Sequence, residues 1–135
     1  MTEILNNLVT FLIPFLIGSL IFFSAIVAPN TFINLDEKNA RKFIRTLFPK
    51  IYTYSAIISL FVAALLLKVE IFYSFIFFIV SIGYLYSKFF LMKKINNASD
   101  SKDERRFKIL HRFSVIIFIL QLLIMVSVYY LLTNQ

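Results

Sequence analysis

The sequence predicts an all-α membrane protein, a bundle of four transmembrane helices with an amphipathic interfacial helix between helices one and two. Two observations predict this fold. Hydrophobic residues make up 60% of the 135 positions, whereas about 45–50% is usual in soluble domains, and the mean hydropathy is +0.84. Four apolar stretches also approach or exceed the length that crosses about 30 Å of hydrocarbon. We place these spans at 4–27, 51–67, 71–92 and 109–132.

The four spans use most of the chain, so we expect one integral membrane domain over residues 1–135. The absence of Cys excludes disulfides and thiolate metal sites. The formal net charge of +7 comes from basic residues that lie between the spans. Anionic lipid headgroups account for such residues, so we expect the lipid bilayer as a partner and no nucleic acid. Only Glu3 is charged before the first apolar run, which favours a mature helix over a signal peptide.

The first span carries small or helix-bending residues at roughly helical spacing: Pro14, Gly18, Ala25 and Ala28. They predict a narrow face for close helix packing, with a gating hinge as the alternative. The second span has a similar small or polar face, formed by Tyr52, Ser55, Ser59 and Ala63. We expect both faces to form interhelical contacts.

The segment between the first two spans predicts a separate interfacial helix at about 35–48. Pro29 is expected to end helix one at Ala28, because proline disfavours the helical conformation of the residue before it. One side of the segment is apolar, with Ala40, Phe43, Ile44, Leu47 and Phe48, and the other is basic, with Lys38, Arg41, Lys42 and Arg45. Asn34 and Glu37 resemble a capping pair. The basic side is expected to face lipid headgroups, with an anionic-ligand site as the alternative.

The connection from Lys68 to Glu70 is very short, so spans two and three are predicted to be antiparallel neighbours. Ser81, Tyr84 and Lys88 share one face of the third span. We expect Lys88 to extend its ammonium to the membrane interface, and a buried ion pair is the alternative.

The last helix follows a polar tract in which 96–101 is predicted to be a flexible turn. Ser101 and Glu104 are spaced as a capping box that opens the helix. Beyond it, one stripe at helical spacing contains His111, Ser114, Phe118, Gln121 and Met125. Polar side chains at membrane depth face the bundle interior, so His111, Ser114 and Gln121 are predicted to point inward.

Lys and Arg are distributed unequally between the connections. The first loop holds five, the third connection and its flanks hold eight, and the opposite side holds Lys68 alone. By the positive-inside rule, loops one and three are cytoplasmic and both termini lie outside. We expect a multi-pass protein of the inner (cytoplasmic) cell membrane.

The segment boundaries also carry a family resemblance. The residues of the first motif are Gly18, Phe22 or Phe23, Ala28, Pro29, Phe32, Leu35, Ala40, then Leu47, Phe48 and Pro49 followed by Tyr52. A second motif consists of Phe107, Leu110, His111 and Ser114. This pattern resembles that of the domain of unknown function 4149 family, which includes the eukaryotic transmembrane protein 205, and the resemblance covers nearly the whole chain. It implies a four-helix integral membrane protein and brings no established reaction. Asn residues and a Pro that are frequent in the family are replaced here by Phe118, Ser87 and Lys93.

The residue types that carry catalysis or hold metals are scarce in this sequence. There is one His and no Cys, and all seven carboxylates fall in loops or helix ends. We therefore expect no metal site, no catalytic residues and no enzymatic activity. The candidate polar interior or ligand site consists of His111, Ser114, Gln121, Ser81 and Tyr84.

Three functions stay open from the sequence. The first is a non-enzymatic membrane scaffold or accessory protein that forms a homo-oligomer or binds other membrane proteins. The second is a transporter or ligand-binding component that uses the polar stripe of the last helix. The third is a redox accessory that binds haem or copper through His111, although no cofactor is our expectation.

Overall fold

Four long helices make up the protein in the computed structural model, which describes residues 1–134. They are α1 (Thr2–Asn34), α2 (Glu37–Leu66), α3 (Ile71–Asp100) and α4 (Glu104–Thr133), and each is long and apolar enough to cross a membrane. No strand occurs among these 134 residues. The predicted all-α fold with four transmembrane helices is confirmed.

The core lies where the four helices face one another. From α1 it takes a stripe of large aliphatic residues at alternating spacings of four and three, namely Val9, Ile13, Leu16 and Leu20. That spacing places them on one helix face. From α3 and α4 it takes Phe77 and Met125, which are fully buried. The outer surface is apolar as well, as expected of helices that lie in lipid.

The predicted packing face of α1 is wrong. Pro14, Gly18 and Ala25 are exposed, and the large aliphatic stripe packs in their place. The corresponding prediction for α2 is confirmed in its main part, because Ser55, Ser59 and Ala63 are buried on the helix that packs most extensively against α3. Aliphatic side chains fill more interhelical volume than small ones, and the bundle uses both kinds of face.

Helix α1 does not end at Ala28 as predicted. It continues to Asn34, and a five-residue π-helical segment, Phe23–Val27, precedes Pro29. A proline ring inside a helix clashes with the carbonyl four residues earlier, and that carbonyl belongs here to Ala25. Ala25 lies inside the π segment, whose wider turn accommodates the ring. The local change of helix type therefore replaces the predicted break.

The segment 35–48 does not form a separate interfacial helix. From Glu37 onward it is the first part of α2, which runs without interruption through Pro49 to Leu66. Pro49 deprives only the Arg45 carbonyl of its helical partner, and near a polar helix end water can bind such a carbonyl. The cap also differs from the prediction: Asp36, not Asn34, accepts a hydrogen bond from the Asn39 backbone amide at 3.3 Å.

The predicted turn at 96–101 is also wrong, because α3 stays helical to Asp100. The chain reverses at Ser101, Lys102 and Asp103, and Lys102 adopts a left-handed conformation with φ of 55°. Asp103 caps α4 by accepting from the Arg106 amide at 3.0 Å. Ser101 cannot serve as the predicted cap, since its hydroxyl donates back to the Asn97 carbonyl at 2.9 Å and closes α3.

The two basic connections lie at the same end of the bundle. The Arg41 side chain donates to the Ser99 hydroxyl at 3.0 Å, and Arg45 forms an ion pair with Asp100. The start of α1 lies at the other end, where Glu3 and Glu70 line a common pocket. The unequal charge of the loops is thus a difference between the two ends of the folded protein.

Candidate functional site

The structure separates the five predicted interior residues into two groups. Ser81, Tyr84 and Gln121 are buried between helices. Ser114 is half-buried and His111 is exposed. The polar stripe of α4 therefore reaches the interior only at Gln121.

Gln121 joins α4 to α3. Its side chain is in the core, with 7% of the residue exposed, and Nε2 donates to the Val80 carbonyl at 3.1 Å. Gly83 makes this approach possible, because a Cβ on Gly83 would stand 2.5 Å from Nε2. The sequence analysis missed Gly83; a lone glycine among bulky apolar residues is the signal of such a close approach.

Two serine hydroxyls join α3 to α2. Ser81 Oγ donates to the Ala56 carbonyl at 2.8 Å, and Ser74 Oγ donates to the Ala63 carbonyl at 2.7 Å. The two serines and the two acceptors are each seven residues apart, which is the pattern of an antiparallel pair in constant register. The predicted adjacency of these helices is confirmed. Ser74 was missed, although it lies two helical turns before Ser81 on the same face.

Tyr84 and Ser59 are the polar residues whose hydroxyls are left unpaired inside the bundle. Both residues are fully buried, and neither Tyr84 Oη nor Ser59 Oγ has a hydrogen-bond partner among the described residues. A buried hydroxyl without a partner costs about 1–3 kcal/mol. Neither residue lines the pocket described above or the groove described below.

Lys88 is half-buried and has a polar partner inside the bundle. Its Nζ donates to Thr53 Oγ1 at 2.7 Å, and Thr53 Oγ1 donates to the Pro49 carbonyl at 2.7 Å. Nζ also lies 4.9 Å from the centre of the Phe89 ring, within the range of a cation–π contact. A hydroxyl therefore accepts a hydrogen bond from the ammonium, and Lys88 makes no ion pair within residues 1–134. Its extension to the membrane interface stays a prediction.

The prediction that His111 points inward is wrong. Its ring is exposed and stacks on Phe107, with centroids 5.8 Å apart and planes 4° apart, while Ser114 Oγ donates to the His111 carbonyl at 2.7 Å. The buried stripe of α4 starts nearly three turns after His111, at Gln121. Among residues 1–134, no three His, Cys, Asp or Glu side chains are grouped to hold a metal ion. A haem or metal role for His111 stays a prediction.

The basic face of α2 is divided between internal and free cations. Arg41 and Arg45 bind Ser99 and Asp100 of α3. Lys38 and Lys42 are exposed, and their side chains make no hydrogen bond or ion pair within residues 1–134. Only the two lysines of this predicted headgroup-facing set are thus free to bind an outside anion.

An open apolar groove separates α1 from α2 on the outside of the bundle. Its volume is about 620 Å³, and its walls include Pro14, Gly18 and Phe22 of α1 with Leu47 and Ile51 of α2. A Cβ on Gly18 would meet no heavy atom within 4 Å, so this glycine faces the open space. The groove lies beside the hydrogen bond that joins Ser19 Oγ to Tyr54 Oη at 2.9 Å.

Four membrane-length helices, an apolar exterior and an apolar core with a few interhelical hydrogen bonds define a small multi-pass membrane protein. The chain belongs to the family of the domain of unknown function DUF4149, whose model matches residues 11–104. This match confirms the resemblance read from the first connection. The second motif, with His111, lies beyond the matched residues. No curated protein and no solved structure matches the chain.

Proposed function

We propose that this protein is a non-enzymatic scaffold or accessory protein of the membrane, whose closed bundle presents its outer surface to other membrane proteins or to copies of itself. One observation carries the proposal. The interior side chains of Ser74, Ser81 and Gln121 each donate a hydrogen bond to a backbone carbonyl of a neighbouring helix.

These hydrogen bonds hold neighbouring helices of the bundle together. A transporter exposes polar groups to a water-filled cavity, where they bind substrate. Here the donors are already paired within the protein, and each such bond in a membrane contributes about 0.6 kcal/mol, up to about 1.7. Neither of the two pockets described above is lined by Gln121 or His111. The arrangement favours a rigid body that acts through its surface.

Cysteine labelling tests whether the interior is closed, since the chain has no Cys. Ser81→Cys and Gln121→Cys variants are treated with a water-soluble maleimide in opened native membranes, beside a Lys102→Cys control in an exposed turn. We expect the control to react and the two interior variants to react only after denaturation. Rapid labelling of Gln121→Cys in the folded protein would reveal a water path and reject the closed bundle.

The scaffold role also requires protein neighbours in the membrane. A photo-crosslinking amino acid is placed singly at exposed positions of α2 and α3, such as Phe61 and Phe75. A discrete adduct of reproducible mass at one face supports a specific neighbour, which includes a second copy of this chain. No protein adduct at any outward position would contradict the scaffold.

A transporter or ligand-binding component is the second candidate, and the unpaired hydroxyls of Tyr84 and Ser59 favour it. Tyr84→Phe removes one hydroxyl and keeps the ring. If the hydroxyl has no partner in the membrane, the free energy of unfolding stays equal or rises, because an unpaired buried group is deleted. A lower free energy of unfolding for Tyr84→Phe would indicate a bound polar partner and favour this candidate over the scaffold.

We also propose that the protein lies in the inner cell membrane with its basic end in the cytoplasm and both termini outside. The Arg45–Asp100 ion pair supports this orientation, because it brings loops one and three to the same end of the bundle. Cations at one end follow the positive-inside rule.

A further inference from the structure

The groove between α1 and α2 is long enough to hold an acyl chain of one lipid leaflet. Its α1 wall runs from Val27 to Pro14, and thirteen helical steps of about 1.5 Å give about 20 Å. Half of a hydrocarbon core of about 30 Å is about 15 Å. One acyl chain can therefore lie along the groove and pass Gly18, where the wall has no side chain.

A free cation of α2 lies beside the residues that line this groove. Leu47 and Ile51 line the groove, and Lys50 lies between them in the sequence. Lys50 is exposed and has no ion pair within residues 1–134. Arg41 and Arg45, in contrast, already bind groups of the same chain. Lys50 is thus available to an anion beside the groove.

We propose that this groove retains one anionic phospholipid, with an acyl chain along Gly18 and the phosphate at Lys50. The charge of Lys50 and the shape of the groove together indicate this occupant. A second copy of the chain also carries a net charge of +7. In the same membrane orientation, its cations would lie at the same depth as the cations of the first copy. An anionic headgroup compensates that charge. This inference is independent of the scaffold role.

Native mass spectrometry tests the site directly. Purified protein in mild detergent receives equal amounts of phosphatidylglycerol and phosphatidylcholine with identical acyl chains. We expect one phosphatidylglycerol to be retained preferentially. Gly18→Leu fills the groove and should lower lipid retention several-fold, with Gly18→Ala intermediate. Lys50→Gln should abolish the preference for phosphatidylglycerol while a lipid is still retained.

Two controls separate the site from general effects. Ala64→Leu places the same side chain at an exposed position of α2 outside the groove, and Lys68→Gln removes a cation at the opposite end. Both should retain lipid like the unchanged protein, and circular dichroism checks that every variant is helical.

Three results would overturn the inference. They are equal retention of the two lipids by the unchanged protein, unaltered retention by Gly18→Leu, and a dimer that Gly18→Leu dissociates while no lipid is bound. The last result would place a second copy in the groove. None of the three bears on the labelling of the interior, so the scaffold and the lipid site can fail separately.

Discussion

The Gln121 amide of α4 lies against Gly83 of α3, at a place where no other residue type leaves it room. A Cβ on Gly83 would stand 2.5 Å from Gln121 Nε2, well inside contact distance. From this position Nε2 donates to the Val80 carbonyl at 3.1 Å. A glycine and a glutamine far apart in the chain therefore form one interhelical contact.

Gly83→Ala is expected to destabilise the bundle by about 1 kcal/mol. The added methyl pushes the Gln121 amide away from Val80, and an unpaired buried amide costs about 1–3 kcal/mol. The higher helix propensity of alanine offsets at most about 1 kcal/mol of this cost. The measurement is the free energy of unfolding in detergent titrated with a denaturing detergent.

A double-mutant cycle isolates the cause of that loss. Gln121→Ala removes the amide, so a further Gly83→Ala should then be neutral or stabilising. If Gly83→Ala costs the same in both backgrounds, the two residues are not coupled and the contact does not account for the loss.

The Ser81 hydroxyl is expected to stabilise the α2–α3 pair by about 0.6 kcal/mol, the mean for interhelical hydrogen bonds in membranes. Ser81→Ala removes the bond to the Ala56 carbonyl. Ser127→Ala is the matched control, because Ser127 is exposed and bonds only to Leu123 of its own helix. Equal unfolding free energies for the two variants would show that the interhelical bond contributes nothing.

The basic end is expected to control orientation. Replacing Lys38, Arg41, Lys42 and Arg45 by Glu reverses the charge of the first connection, so we expect misinsertion or mixed topology. Accessibility of single cysteines at Lys68 and Lys102 to an impermeant reagent in intact cells reports the two sides. Normal accessibility of both sites in the fourfold variant would contradict the topology proposal.

The Asp36 cap predicts a pH dependence. Hydrogen bonds from the Asn39 side-chain amide, and then from its backbone amide, lower the pKa of Asp36 below its ordinary value of 3.8. A carboxyl with a lowered pKa stabilises the fold above its ordinary value and loses that contribution as the pH falls through the folded value. Unfolding of the unchanged protein should therefore become easier below about pH 4.

Asp36→Asn is the control for the cap, because asparagine also caps helices and does not titrate in this range. The part of the acid sensitivity that comes from Asp36 should be absent in this variant. An identical pH profile for the two proteins would show that Asp36 does not contribute.

Predictions from the sequence succeeded for features that many residues specify together, such as a helix face. They failed for features inferred from a single residue. The small face of α2, with Ser55 and Ser59, was predicted from spacing and is buried. The helix ends predicted at Pro29 and Pro49 were wrong, because a π segment and a polar helix end accommodate the two rings. The inward direction of His111 was wrong, because burial depends on how neighbouring helices pack against each turn, which spacing along one helix does not report.

The sequence by itself determined that the chain forms four membrane-length helices of the DUF4149 family, with the basic residues concentrated in two connections. Hydropathy and helix length are properties of each segment alone, so no neighbour is needed to derive them. Tertiary structure alone decided that Gln121 pairs with Val80 beside Gly83, that Arg45 binds Asp100, and that Gly18 faces an open groove. Each of these depends on the register and rotation of two helices, which packing between distant parts of the chain determines.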